Sequence, residues 1–570
     1  MKTPAFDGRT RPYPAEDQAG FALEHLASDA RQKEKATCDT GCRAPASYLR
    51  AAVPRHHPRQ HSKVAMDLKE YWQDVVPTDG LKARSVRGAS ITALAQLPKI
   101  VLMLASQLVL ARLLLPADFG LIAMVTPVIG FVQVLADLGL TQAVVSRQKL
   151  KLAELNGFFW INLGLSATLA IIAAALGPLL AWLYNEPRVM AVTFACSAMI
   201  LVGGAGMVQS ALLNRQMRYG ALAIIEVCSL AISIALGVGF AWYGWSYWSL
   251  IFAQAGASVT STGLSWAMSN WRPGSPSINR GSLSMAKFGG NITISNLANY
   301  LNTTIDNVMI GAVLGKVVLG LYDRAWKLAV QPLSQSQAPF HRVAVPTLSR
   351  LTEEPARYRQ AFLTMTQAML VMVAPAMLFA SMLADPLITF VLGARWAPAA
   401  PIFAWICVGA IVTPVNSATL WLLVSQGRAR EQMIFGTAAA TINMLAYACG
   451  LPWGIVYVAA VSAVSVYLIQ TPMLVWVATR QGPVGRKTIA ALLLPNIVAA
   501  GATGLMLQQA RQVFTITGFW LLAGTALATL ASYMLVLVCF PTSRSQIKGI
   551  VMLPMGMLRK QRPDIVGDAS

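Results

Sequence analysis

ARLLLPADFGLIAMVTPVIGFVQVLADLGL, residues 111–140, holds the end of one apolar run, a break at Pro116, and most of a second run. The second run is of spanning length, because a hydrocarbon core of ~30 Å is crossed by ~20 apolar residues in helix. Working outward from it, apolar runs between polar breaks predict helices over 89–111, 119–143, 157–183, 189–213, 221–243, 247–268, 285–310, 318–340, 361–384, 400–425, 432–451, 454–478, 488–508 and 518–540. Pro116, Pro187, Pro273, Pro355, Pro386 and Pro483 punctuate their ends. Trp182, Tyr184, Trp242, Tyr243, Trp245, Tyr247 and Trp248 gather at others, as an interfacial aromatic belt does. The expected fold class is an all-α membrane protein with about fourteen transmembrane helices.

Composition agrees. The 570 residues are 55% hydrophobic and 12% charged, about half the charge of a soluble domain, so there is too little polar surface for one core in water. The net charge of +21 does not mark a nucleic-acid surface. Basic residues sit in the two tails and in alternate short loops, with no aromatic-interleaved basic patch. Even-numbered loops carry Arg147, Lys149, Lys151, Arg215, Arg218, Arg272, Arg280, Lys287, Arg342, Arg350, Arg357, Arg359, Arg428, Arg430, Arg480, Arg486 and Lys487. Odd-numbered loops carry only Arg112, Arg188, Lys316, Arg395 and Arg511. The positive-inside rule then places both termini in the cytoplasm, which requires an even number of spans.

The opening stretch has a counterpart. GAVLGKVVLGLYDRA, residues 311–325, repeats a helix-breaking joint followed by a Phe/Leu-Gly-Leu step into the next helix. The repeat divides the chain into a basic, mostly disordered tail (1–87), a six-helix lobe (88–273), a second six-helix lobe (274–480), two extra helices (481–541) and a basic tail (542–570). Met66 opens a short polar segment leading into the first helix, so residues 1–65 are read as an over-long gene start.

Four stretches resemble the Wzx-type oligosaccharide flippases of the MOP (multidrug/oligosaccharidyl-lipid/polysaccharide) exporter superfamily: residues 111–140, FFWINLGLSATLAII (158–172), LNTTIDNVMIGAVLGKVVLGLYDRAWKLAVQPL (301–333) and VPTLSRLTEEPARYRQAF (345–362). The resemblance implies two pseudo-symmetric six-helix bundles around a central cavity, plus two C-terminal helices. It further implies alternating access, an undecaprenyl-diphosphate-linked repeat unit as cargo, and a place in exopolysaccharide, capsule or lipopolysaccharide synthesis. Membrane lipids are partners by class, and a polysaccharide polymerase and a chain-length regulator are compatible ones. An ion-coupled multidrug exporter of the same superfamily, and a membrane polysaccharide polymerase or ligase, remain open as other readings.

Ionisable and polar groups inside spans mark candidate sites, because each is costly unless it faces protein or water. Asn291, Ser295, Asn299, Asn302 and Asp306 recur at helical spacing on one face of helix seven. That stripe suits either interhelical hydrogen bonding or a cavity wall meeting sugar hydroxyls. Arg324 and Lys327, beside Asp323, share a face at the start of helix eight. They suit either snorkelling or a cationic wall for a diphosphate, a field that Lys99 and Arg112 would extend. Glu226 and Asp137 are candidates for ion coupling, against an interfacial and a capping role respectively. Coupling to H⁺ or Na⁺ is left open, and no cofactor is expected. No phosphate-binding loop for ATP occurs, and no loop is long enough for a catalytic domain. His341, alone among histidines after residue 61, falls near a helix end. Cys38 and Cys42, near His56, His57 and His61, do not match a structural zinc spacing.

Overall fold

The computed structural model describes residues 99, 101–103, 105–137, 144, 151–276, 280–513, 518–541, 543, 544 and 546, with side chains described only in part between 277 and 303. The tail, its Cys and His residues and Met66 lie outside the described residues. The fold is all-α: the described residues form helices and no strand. We label the helical segments α1 (Val101–Leu113), α2 (Pro116–Asp137), α3 (Leu152–Leu183), α4 (Arg188–Arg215), α5 (Tyr219–Trp242) and α6 (Tyr247–Met268). They continue as α7 (280–314), α8 (316–350), α9 (Pro355–Met382), α10 (Ala394–Ser425), α11 (Ala429–Trp453), α12 (Ile455–Ala478), α13 (Arg486–Val513) and α14 (Phe519–Cys539).

Among the described residues, 11 helices are long and apolar enough to cross a membrane. That criterion omits α1, which is short, and α6, whose Ser, Thr and Gln residues lower its hydropathy. It also runs α7 and α8 together. The backbone does bend between them: Gly315 has φ 78°, ψ 177° inside an otherwise continuous helical rod. Only glycine adopts that conformation without a Cβ clash, so the joint falls there.

The α1–α2 joint is built differently. Pro116 occupies the first helical position, where a missing N–H costs nothing. The Asp118 carboxylate reaches back to accept a hydrogen bond from the Leu115 N–H at 2.9 Å. The Ser246 hydroxyl of the α5–α6 loop donates to the same carboxylate.

The two joints meet. A Cβ on Gly120 would lie 1.7 Å from the Lys316 carbonyl oxygen, and one on Gly320 would lie 1.9 Å from the Pro116 carbonyl oxygen. Each glycine thus packs on the backbone four residues before the other, an arrangement reciprocal about a local two-fold axis. Around it lies one hydrophobic cluster drawn from both halves, including Phe119, Tyr184, Leu319, Tyr322, Trp396 and Phe403. We call this the joint end.

At the opposite, basic end the halves have separate cores. One comprises Leu155, Phe158, Phe159, Leu212 and Trp271, the other Tyr358, Phe362, Trp421, Leu422 and Leu474. Helix C-termini here carry exposed carbonyls, and matching arginines close them. Arg218 donates to the Met268 carbonyl at 2.8 Å, and Arg428 to the Val477 and Ala478 carbonyls at 2.7 and 2.9 Å. Helices α13 and α14 dock on α9 through a buried amide pair, Gln367 and Asn496, joined by the Tyr533 hydroxyl at 2.9 Å.

Candidate functional site

Two features gather the polar groups of the spans. The first is a buried charge cluster on α7, α8 and α11. Asp306 is buried and accepts hydrogen bonds from the Asn307 N–H at 2.9 Å and the Tyr322 hydroxyl at 3.0 Å. Tyr447 of α11 packs against the same hydrophobic cluster that holds Tyr322. Asp323, equally buried, lies 2.9 Å from the Lys327 ammonium and 3.2 Å from the Arg324 guanidinium. Two carboxylates and two cations leave the cluster without net charge, the condition under which ionic groups persist inside a membrane. Lys327 keeps 34% of its side chain exposed and Arg324 13%, so the cationic side is the accessible one.

The Arg324 guanidinium also lies over the Phe119 ring, 4.1 Å from its centroid, and so crosses from the second half to the first. Phe119 packs edge-on against Trp396 at 5.5 Å, and the Trp396 indole N–H donates to the Ala111 carbonyl at 2.8 Å. Arg112 donates to the Phe390 carbonyl at 2.8 Å. Lys316 pairs with Glu186, which also accepts from Arg188 at 2.7 Å. The hydrogen bonds from Arg188 and Lys316 hold the Glu186 carboxyl below the usual carboxylate range. The joint end is therefore laced across the halves by polar as well as apolar contacts.

The second feature is a cavity of about 500 Å³ toward the basic end, lined by α2, α4 and α6 of the first half and Tyr300 of α7. Gln133 and Asp137 face it from α2, and Ser258, Ser261, Thr262 and Ser265 from α6, each set at helical spacing. Ser210 and Ser265 hydrogen-bond to one another, and Thr262 donates to the Val202 carbonyl. Gln133, Asp137, Ser258 and Ser261 have no hydrogen-bond partner among the described residues. Polar groups left free at membrane depth require water or a polar ligand.

A model of the family "Polysaccharide biosynthesis protein" matches residues 109–401, just over half of the chain. This chain belongs to that family. The chain is similar to the lipopolysaccharide biosynthesis protein WzxC of Escherichia coli, 22% identical over 75% of this chain and 89% of that one. It is also similar to the succinoglycan biosynthesis transport protein ExoT of Rhizobium meliloti, 27% identical over 81% and 93%. Among solved structures it shares the fold of the lipid II flippase MurJ in an inward closed conformation, with a TM-score of 0.63 and 14% identity over 79% of this chain and 98% of that one. A multidrug resistance MATE transporter of the MOP superfamily has the same fold, with a TM-score of 0.52 and 16% identity over 69% and 95%. The resemblance of the quoted sequence blocks to Wzx-type polysaccharide proteins is thereby borne out by the family and these relatives, and the solved structures add the all-α fold.

Within this family member the sequence-predicted residues separate. Asp306, Arg324 and Lys327 fall in one cluster, as their shared region of sequence suggested, and Asp137 lines the cavity. Arg112 instead ties the halves together at the joint end. Lys99 and Glu226 pair with each other at 2.7 Å, with 33% and 57% of their side chains exposed, and neither lines the cavity. The side chains of Asn291, Ser295, Asn299 and Asn302 lie outside the described residues. His341 accepts a hydrogen bond from the Trp421 indole at 2.9 Å, an interhelical role.

Sequence reasoning passed over Phe119, Tyr322, Tyr447 and the α6 hydroxyl stripe. The stripe had a signal: Ser258, Ser261, Thr262 and Ser265 follow the same three-and-four spacing that singled out helix seven. The aromatic residues had none, since nothing local separates them from core.

Proposed function

We propose that this protein flips an undecaprenyl-diphosphate-linked oligosaccharide repeat unit across the bacterial inner membrane by alternating access, for exopolysaccharide, capsule or lipopolysaccharide synthesis. The observation that carries the reading is a cavity lined by free hydroxyl, amide and carboxyl groups, and the partly accessible cations Arg324 and Lys327 elsewhere in the spans support it. Serine, threonine and glutamine both donate and accept, which suits the hydroxyls of a glycan. Arginine and lysine suit the oxygens of a diphosphate that has left water. A separate apolar cavity of about 660 Å³, between α9, α10, α12, α13 and α14, matches the polyisoprenoid part of the same molecule. Similarity to WzxC, a lipopolysaccharide biosynthesis protein, and to ExoT, a succinoglycan biosynthesis transport protein, supports the pathway class.

In this reading the chain has fourteen spans in two six-helix lobes (88–273 and 274–480) with two further helices (481–541). Both termini are cytoplasmic by the basic-loop bias, so the joint end faces outward. The shared core at that end and separate cores at the other correspond to a state closed outside and accessible from the cytoplasm. The polymerase and chain-length regulator remain partners by pathway, and an H⁺ or Na⁺ gradient remains the proposed energy source. A deletion strain tests the reading: lipid-linked repeat units should accumulate on the cytoplasmic face. Normal turnover of those units, with altered drug sensitivity instead, would favour a multidrug exporter.

A further inference from the structure

The Arg324 guanidinium is largely withdrawn from solvent yet incompletely satisfied. Its Nε–H has no hydrogen-bond partner, and Asp323 Oδ2, 3.2 Å from the Arg324 Nη2, has none either, so charge holds this ion pair without hydrogen-bond alignment. Asp323 gives its other oxygen to Lys327 at 2.9 Å. The remaining support is the face of Phe119, which belongs to the other half of the molecule. A guanidinium so withdrawn and short of acceptors is an unfinished site, and an anion with several oxygens would complete it better than one shared carboxylate does.

Phe119 is the residue through which such a change would travel. It is buried, precedes the close-packed Gly120, and abuts Trp396, whose indole closes on the Ala111 carbonyl. A ring face attracts a cation only while the cation stays over it. If a bound anion draws Arg324 away, the α2 start loses a contact to α8 at the point where the two halves are fused.

We infer that Phe119 is the positioning residue that couples occupancy of the Arg324–Lys327 site by a diphosphate headgroup to release of the joint end. The inference rests on the flippase reading for the identity of the anion. It assigns α2 a sensing role toward a site on α8 that α2 does not itself build. Phe119 touches no cargo; it reports through Arg324 whether the site is filled.

The test uses the full chain in phosphatidylcholine nanodiscs with native cysteines replaced. Spin labels are placed at Trp182→Cys and Trp453→Cys, exposed positions at the joint end of the two halves. Undecaprenyl diphosphate is the probe and undecaprenol the control. In the otherwise unmodified protein the diphosphate, and not the alcohol, should shift the distance distribution to longer values. Phe119→Leu keeps an apolar side chain but no ring face, and should bind undecaprenyl diphosphate within about fivefold of that protein, with the distance response lost. Arg324→Lys, which keeps the charge but not the planar group, should likewise bind without the distance response. A Phe119→Leu protein that responds fully, or one that loses binding as completely as Arg324→Glu/Lys327→Glu, overturns the coupling. Failure of the unmodified protein to bind undecaprenyl diphosphate overturns the flippase reading itself.

Discussion

The joint end and the basic end of this molecule are built on opposite plans. At the joint end the halves share one hydrophobic cluster, two glycines pack backbone to backbone, and Arg112, Lys316, Trp396 and Arg324 reach across. At the basic end each half has its own core, and Arg218 and Arg428 close helix ends within their own half. A transporter that exposes its cavity to one side at a time must break one set of contacts and make another. On the proposed alternating-access reading, the contacts made here are those of the joint end, where a few residues reach across.

The largest effect is expected at the charge cluster that adjoins the joint end. Arg324→Glu with Lys327→Glu turns a neutral quartet strongly negative and removes the groups offered to a diphosphate. Export should be abolished with insertion and abundance intact, as measured by polysaccharide export and membrane immunoblot. Undiminished export from a well-expressed double mutant would remove these residues from the cargo path.

Gly120→Ala acts on the fused end directly. Its Cβ would meet a backbone carbonyl, which cannot swing away as a side chain can. Overpacking of this kind costs ~1–3 kcal/mol, so export should fall roughly tenfold or more and the joint end should spread. The same substitution at Gly436, where a Cβ would meet nothing, is the control and should leave export unchanged.

Smaller effects belong to the Lys316–Glu186 pair. Lys316→Glu should weaken closure by no more than about fivefold, because partly exposed ion pairs contribute ~0–1 kcal/mol, and Glu186→Lys in the same chain should restore it. The sign of the pH dependence follows from the lowered pKa of Glu186 in the closed state. The stabilisation of closure is present above the ordinary carboxylate pKa and lost as pH falls through the depressed value. Distance distributions at the joint end should therefore broaden only in acid, and Glu186→Gln should flatten that profile. Smallest of all is the Lys99–Glu226 pair, exposed and distant from the fused contacts. Glu226→Gln should change export by less than about twofold at any pH. A large loss of ion dependence in that variant would return Glu226 to the coupling role considered from sequence.

How much of this was legible in the chain depends on the range of the interaction. The break between α7 and α8 was readable because Gly315 lies in a short Gly-Lys joint between apolar runs, and the structure bends at that residue. The start of α2 was readable from Pro116, whose effect acts within one turn, and the structure adds the Asp118 cap. Helix α8 continues to Arg350, beyond the expected end near 340, because Pro339 and Pro346 are accommodated within the helix rather than ending it. Asp306, Arg324 and Lys327 stood out because charge inside a span is rare enough to need no partner to be noticed. Lys99 and Glu226 stood out for the same reason, but charge alone did not reveal that each neutralises the other across 127 residues.

By itself the sequence determined the helical class, the approximate spans, the basic-loop alternation and the two related joints. All of these are local matters of apolar length, turn chemistry and charge placement. Only the tertiary structure decided that the two joints pack on each other, that Phe119 carries Arg324, and that the α6 hydroxyls and Asp137 face one cavity. The physical reason is rotation about the helix axis. A helix that is apolar nearly all round does not say which face meets protein and which meets lipid, and its few polar side chains acquire a meaning only when neighbouring helices fix that angle.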